Sequence, residues 1–425
     1  MSALDSVPAT HAGKNGMLII GAGLAGLTVA ETLRAEGYAG PITLIGNEAH
    51  APYQRPPLSK GFLLGQIAEA QLMMRPAEML AKKEITLRVG AGAAAIDRAA
   101  KRVGFSDGSS LAYDGLALCT GSRLRPLPLP GADWKGVYGL RSLDDAKGIA
   151  AALEAAQNVV IVGGGFIGLE VAAVARRKEK QVTVLEAADR LMARVVAPPI
   201  SQFYFDLHRA NGTEVVLGAE VSELASQRVG KDVRIAAVRT RDGREFAADL
   251  LLVGIGVIPN AELAQAAGLD VGGGIVVDAC GRTSDAAIVA AGDCTARRMD
   301  DGSLRRLESV QNALEQAKSA ASALLGRERP SNAAPWFWSD QYDVKLQMVG
   351  LTAGFDQVVT RGAVDAKAAT KKFSAFYFKA GRLIAIDSLN QPGEHMTGRK
   401  LFDKGISPTP EQAADTGFDL NSLLA

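Results

Sequence analysis

At 425 residues the chain is too long for one hydrophobic core and predicts two to four domains. Hydrophobic residues make up 48% and charged residues 22%, an α/β composition that excludes disordered and fibrous classes. With 47 Lys plus Arg against 46 Asp plus Glu, the formal net charge of +1 gives no general affinity for nucleic acid or an anionic membrane.

In chain order, residues 1–16 are polar, lack an apolar secretory core and read as a flexible leader. "MLIIGAGLAGLTVAETLR" at 17–34 follows as an apolar strand, a G-x-G-x-x-G turn (Gly21, Gly23, Gly26) and a helix. The first glycine allows the tight turn and the second a close approach by a pyrophosphate. The third lets the helix pack on the strand with its N-terminus toward the phosphates. A strand at 41–48 ends in Asn47 and Glu48, candidate acceptors for a ribose. The loop "APYQRPPLSK" (51–60) then stiffens the backbone with Pro56 and Pro57 before a lone Lys60, and holds no cysteine.

A strand and a Thr120–Gly121 turn lead through a proline-rich crossing into a second copy of the first unit. "VVIVGGGFIGLEVAAVAR" at 159–176 aligns with 17–34 without a gap, its glycines being Gly163, Gly165 and Gly168. Its next strand ends at Glu186, where a carboxylate holds the ribose hydroxyls of NAD and opposes a 2′-phosphate; Arg190 and Arg194 follow and soften that opposition. "ADLLLVGIGVIPN" (248–260) returns the chain to the first unit, and "TSDAAIVAAGDCTA" (283–296) supplies a strand ending in Gly292–Asp293. The segment 308–326 has apolar residues at helical spacing, and the aromatic, β-branched pattern beyond 330 predicts antiparallel strands of a third domain. Two dinucleotide sites in one chain imply two different dinucleotides, one to bring electrons and one to receive them.

The motifs "GAGLAG", "RPPLSK", "CTGSRLRPLPLPG", "GGGFIGLEVAA", "AAGDC", "ESVQNALEQA" and "PWFWSDQY" resemble the FAD-dependent NADH–ferredoxin reductases of bacterial oxygenase systems, over nearly the whole chain after residue 16. The resemblance implies two three-layer Rossmann-like domains and a C-terminal α+β domain with an antiparallel sheet. The FAD domain would be discontinuous (17–120 and 250–330), the NAD domain inserted (121–249) and the C-terminal domain 331–425. It implies FAD contacts at Gly21, Gly23, Ala25, Gly26, Asn47, Glu48, Arg55, Lys60, Ala93, Thr120, Gly121, Arg141, Gly292, Asp293, Val310 and Trp338. For NADH it implies Gly163, Gly165, Phe166, Ile167, Gly168, Glu186, Arg194 and Gly256. The family often has aspartate where this chain has Asn47, so Glu48 shares the ribose role.

Many relatives in the wider superfamily carry a redox disulfide after the FAD turn. Here Cys119, Cys280 and Cys294 are dispersed, which disfavours thiol-relay chemistry and zinc alike and suits a reducing cytoplasm. On the residues alone, Lys60 is either a surface lysine or a functional one, and Glu170 either suits a helix N-terminus or pairs with it. The resemblance selects a buried Lys60–Glu170 pair serving hydride transfer from NADH to FAD. It further implies single-electron delivery to a two-iron two-sulfur ferredoxin that docks near Lys318 and Trp338 and feeds an oxygenase. A rubredoxin reductase and an NADH-sensing protein of the apoptosis-inducing-factor type are the alternatives. None of the four histidines shows a metal-ligand spacing, and no apolar run is long enough to span a bilayer.

Overall fold

In a computed structural model, residues 14–425 are described; the expected leader lies, except for its last three residues, outside them. The chain divides into two compact units. The first comprises the described residues to Gln54, with Leu72–Arg123 and Ile258–Ala333; the second comprises Arg55–Gln71, Leu124–Val257 and Ala334–Ala425.

The first unit is built on a five-stranded parallel sheet in the order Ile288–Ala290, Gly115–Leu118, Met17–Ile20, Ile42–Ile45, Ile85–Arg88. All four residues of Met17–Ile20 are buried, as a strand covered on both faces requires. The helices Leu24–Ala35 and Val310–Leu324 bring Leu27, Val29, Leu33, Ala317 and Ala321 to one core with Ile19 and Leu44. The other face of the sheet is covered by a core around Leu18, Ile20, Tyr113 and Ile275, which also holds Val103 and Phe105 of a small antiparallel sheet.

The second unit repeats the theme. Its parallel sheet runs Thr213–Leu217, Gln181–Glu186, Asn158–Val162, Leu250–Val253, Val137–Tyr138, with the helix Phe166–Arg177 following the central strand. The same unit carries a five-stranded antiparallel sheet ordered Trp336–Gln341, Val344–Gly350, Arg382–Leu389, Phe373–Lys379, Gln357–Arg361. The helix Phe166–Arg177 packs on its edge strand Trp336–Gln341. Together the two units give the mixed α/β fold with parallel nucleotide-type sheets and an antiparallel C-terminal sheet expected from the sequence. Among the described residues no helix is long and apolar enough to cross a membrane.

Candidate functional site

Each unit holds one glycine turn, and the two are near copies. Gly21 has φ +111° and Gly163 φ +108°, a region that L side chains rarely adopt. A Cβ on Gly26 would stand 1.9 Å from the Gly21 carbonyl oxygen, and one on Gly168 2.2 Å from that of Gly163. These four glycines are demanded by the protein itself. Gly23 and Gly165 are not: a Cβ at either would meet no protein atom within 4 Å. Both cap a helix with ordinary extended backbone and without any side-chain hydrogen bond to the first turn. An open cradle in front of free helix N–H groups fits the diphosphate of a dinucleotide in each unit.

Around the first cradle, Thr120 donates from Oγ1 to the Asn260 carbonyl at 2.6 Å, and Gly121 has φ +66°. The Gly292 N–H donates to Gln316 Oε1 at 2.9 Å, and Ser122 donates to Asp293 Oδ2 at 3.2 Å. Ala25 lies in the first turn of the helix Leu24–Ala35, Ala93 opens a strand, and Val310 begins its helix behind an N-cap at Ser309. The residue at the end of the second strand differs between the copies. Ile45 and Leu185 accept from Gly21 and Gly163 respectively, so Gly46 occupies the register position of Glu186. Asn47 is exposed, while Glu48 is half-buried and accepts from the Tyr53 hydroxyl at 2.5 Å.

Around the second cradle, Glu186 accepts from Gly164 N at 2.6 Å and from Ala188 N at 2.8 Å. A carboxylate has about four lone-pair positions, so two remain for hydroxyls. Arg190 is tied into its own turn. Its guanidinium donates to the carbonyls of Val196 and Ala193 and to Ser201 Oγ, which locks the 190–201 turn. Arg194 is exposed, and its Nη2 lies 3.9 Å from where a Cβ would stand on Gly256. Phe166 and Ile167 open the helix, and Ile167 is 44% exposed.

From Arg55 onward the proline loop belongs to the second unit, with one 3-10 turn over Pro56–Ser59. The Lys60 N–H donates to the Pro57 carbonyl at 3.0 Å, and Lys60 Nζ donates to the Pro56 carbonyl at 3.3 Å. Both prolines thus hold the lysine. Its ammonium pairs with Glu170 Oε2 at 2.6 Å; the Lys60 side chain is 19% exposed and that of Glu170 2%. Ser59 Oγ donates to the same oxygen at 2.5 Å and Ser339 Oγ to Oε1 at 2.7 Å. The glycine motif does not require this carboxylate, because the equivalent Thr28 bonds back to the Leu24 carbonyl of its own helix. Arg55 donates to the Arg141 carbonyl at 2.6 Å. Trp338 lies half-buried on the edge strand, its ring 5.5 Å from that of Trp336.

Sequence reasoning missed Ser59, Ser339 and Tyr53 as partners of these carboxylates; only the adjacency of Ser59 to Lys60 offered a signal. Lys318 pairs with Glu315 at 2.7 Å. The three cysteines are free and buried, and burial pushes the Cys119 and Cys294 thiols up, away from the reactive thiolate. Among the described residues, no group of three or more His, Cys, Asp and Glu is arranged to hold a metal ion.

The model of the pyridine nucleotide-disulphide oxidoreductase family matches residues 16–317, and that of the reductase C-terminal domain matches 336–424. The chain is 45% identical to rhodocoxin reductase of Rhodococcus erythropolis over 96% of its own length and 94% of the relative's. A ferredoxin reductase for the CYP199A2 system of Rhodopseudomonas palustris has a similar structure, with a TM-score of 0.92 and 45% identity, covering 97% of this chain and 100% of that one. The reductase in a covalent putidaredoxin reductase–putidaredoxin complex matches with a TM-score of 0.92 and 40% identity, covering 97% and 98%. With two matched glycine cradles and both family models spanning them and the C-terminal sheet, the chain belongs to the pyridine nucleotide-disulphide oxidoreductase family, in the branch that ends in a reductase C-terminal domain.

Proposed function

We propose that this chain is an NADH-dependent, FAD-containing ferredoxin reductase, which passes electrons to a small two-iron two-sulfur protein serving an oxygenase. The observation that carries this reading is the doubled open cradle, at Gly23 and at Gly165, in a chain whose three thiols are buried and unpaired. Two dinucleotides are accommodated, and no thiol pair stands ready to take electrons onward. The balance is one NADH giving NAD⁺, a proton and two electrons, with two ferredoxins each gaining one. FAD, when bound, supplies the conversion from two-electron to one-electron chemistry.

The chain's own residues bind, orient and select. The free N–H groups behind Gly23 and Gly165 take up diphosphate charge, which the helix dipole favours. Glu186 keeps its loop closed and disfavours a 2′-phosphate, while Arg194 is the cation available to offset that. Lys60 and Glu170 are assigned to hydride transfer; Pro56 and Pro57 hold the lysine and the two serines hold the carboxylate. We assign the FAD role to the first unit, the NADH role to residues 124–257, and the reaction to the cytoplasm, where dispersed thiols stay reduced. Docking of the ferredoxin is assigned to the surfaces carrying Lys318 and Trp338.

Steady-state NADH oxidation by the FAD-loaded protein tests this, with a two-iron two-sulfur ferredoxin, a rubredoxin and dioxygen as competing acceptors. The proposal expects ferredoxin to give the highest kcat/KM. Turnover with rubredoxin or dioxygen that exceeds it would overturn the assignment.

A further inference from the structure

The Lys60–Glu170 pair is the head of a longer buried chain. Ser339 Oγ accepts from Gln341 Nε2 at 3.2 Å, and Gln341 Oε1 faces His208 Nε2 at 2.9 Å. Ser339, Gln341 and His208 are all wholly buried. His208 comes from the helix Pro198–Ala210, and the other two from the edge strand of the antiparallel sheet.

Donor counting gives this chain one direction. Ser339 has a single hydroxyl hydrogen, and Glu170 takes it, so Ser339 can only accept from Gln341. The Gln341 nitrogen must therefore face Ser339 and its oxygen must face His208. That oxygen needs a donor, so His208 carries its hydrogen on Nε2. Its Nδ1 is buried with no partner. Burial holds the imidazole neutral, its pKa lowered to about 4. Each hydrogen bond thus points toward Glu170, an arrangement in which successive bonds polarise one another.

A buried serine, glutamine and histidine give little net stability over apolar residues of the same volume. What the series supplies is orientation: it fixes the Glu170 carboxylate on a helix that begins at the second glycine turn. We propose that Ser339, Gln341 and His208 are positioning residues for hydride transfer, holding Glu170 in the one rotamer that keeps Lys60 in place. This rests on the reading that the Lys60–Glu170 pair serves that step.

The test uses FAD-loaded holoenzyme and anaerobic rapid mixing with NADH, comparing His208→Phe, Gln341→Leu, His208→Gln and Glu170→Gln. Loss of orientation should slow reduction at saturating NADH by about tenfold or more while leaving the dissociation constant for NADH unchanged. His208→Gln keeps a donor at similar reach and should recover most of the rate. In a Glu170→Gln background, His208→Phe should add nothing. If His208→Phe does not load FAD, Ser339→Ala takes its place in the same comparison.

Independently of activity, nitrogen-15 histidine spectra of the wild type should show a neutral Nε2–H tautomer at pH 6.5, assigned to His208 by its loss in His208→Gln. An Nδ1–H tautomer would overturn the proposal. A slow Glu170→Gln with wild-type rates in His208→Phe and Gln341→Leu would overturn it too, and spare the reading of the ion pair. A wild-type rate in Glu170→Gln would overturn both. Losses that persist undiminished in the Glu170→Gln background would mean that His208 acts elsewhere, and would overturn it as well.

Discussion

Replacing Lys60 by methionine removes a cation at 2.6 Å from a carboxylate whose side chain is 2% exposed. At an effective dielectric of about 20, unit charges at that separation attract by about 6 kcal/mol. The lysine is 19% exposed, so water already screens part of that attraction. Ser59 and Ser339 also go on donating to the carboxylate, at 2.5 and 2.7 Å. A net loss of about 3 kcal/mol remains, chiefly from leaving a buried charge without its partner. Glu170→Gln should lose less, because the amide oxygen still accepts from Lys60. If the two residues act as one unit, the double variant should lose about 2 kcal/mol less than the sum of the singles. Denaturant unfolding of FAD-loaded protein at pH 8 measures this, followed by a probe within the second unit because two units need not unfold together. The same variants, mixed rapidly with NADH, should bleach the flavin slowly, Lys60→Met more so than Glu170→Gln. Losses that add within about 0.5 kcal/mol would refute the coupling.

Other outcomes follow from the same geometry. Glu186→Ala should erode a preference for NADH over NADPH of about tenfold or more, since like charges a few Å apart cost about 1–4 kcal/mol. It should also weaken both nucleotides by freeing the Gly164 and Ala188 N–H groups, as ratios of kcat/KM will show. Arg194→Ala should lower activity with NADPH, whereas Arg190→Ala should lower thermal stability, because Arg190 ties its own turn. Replacing Cys119, Cys280 and Cys294 together by alanine should leave turnover per bound FAD largely intact, and an inert but folded, FAD-loaded variant would contradict the absence of a thiol step. Asp387 is buried beneath the Tyr377 hydroxyl, and desolvation raises its carboxyl from 3.8 to about 7 although that hydrogen bond opposes the shift. The folded state therefore keeps a proton that the unfolded chain has lost. The stability this proton gives is full below pH 4 and fades as pH rises toward 7. Asp387→Asn should accordingly raise the melting temperature at pH 8, by the equivalent of up to about 4 kcal/mol, and change it little at pH 4. His208 has the opposite sign: its folded value near 4 lies below the ordinary 6.5, so its contribution is lost as pH falls between them.

The legible parts of the molecule were those written locally. The glycine turns, the buried strands Met17–Ile20 and Asn158–Val162 and the helix Val310–Leu324 all follow from spacing within about twenty residues. The pairing of Lys60 with Glu170 spans 110 positions, and no local pattern predicts it; it came from the resemblance alone. Ser339, Gln341 and His208 were invisible for a different reason. Alternating Ser339 and Gln341 on an edge strand reads as a solvated face, yet the helix Phe166–Arg177 covers that face and turns it into a buried polar chain. Arg190, four residues beyond Glu186, looks free in the sequence, but three of its N–H groups are taken up by its own turn. Gly46 at the register position of Glu186 is likewise visible only once Gly21 and Gly163 are seen to bond the strands equivalently.

The central claim is that electron pairs enter from NADH and leave singly. An anaerobic titration measures this directly: FAD-loaded protein in catalytic amount, a known quantity of NADH, and excess oxidised two-iron two-sulfur ferredoxin followed by its visible absorbance and by electron paramagnetic resonance. Two ferredoxins reduced for each NADH consumed is the result this account predicts. NADH consumed only when dioxygen is admitted, with hydrogen peroxide formed in equal amount and the ferredoxin left oxidised, would contradict it.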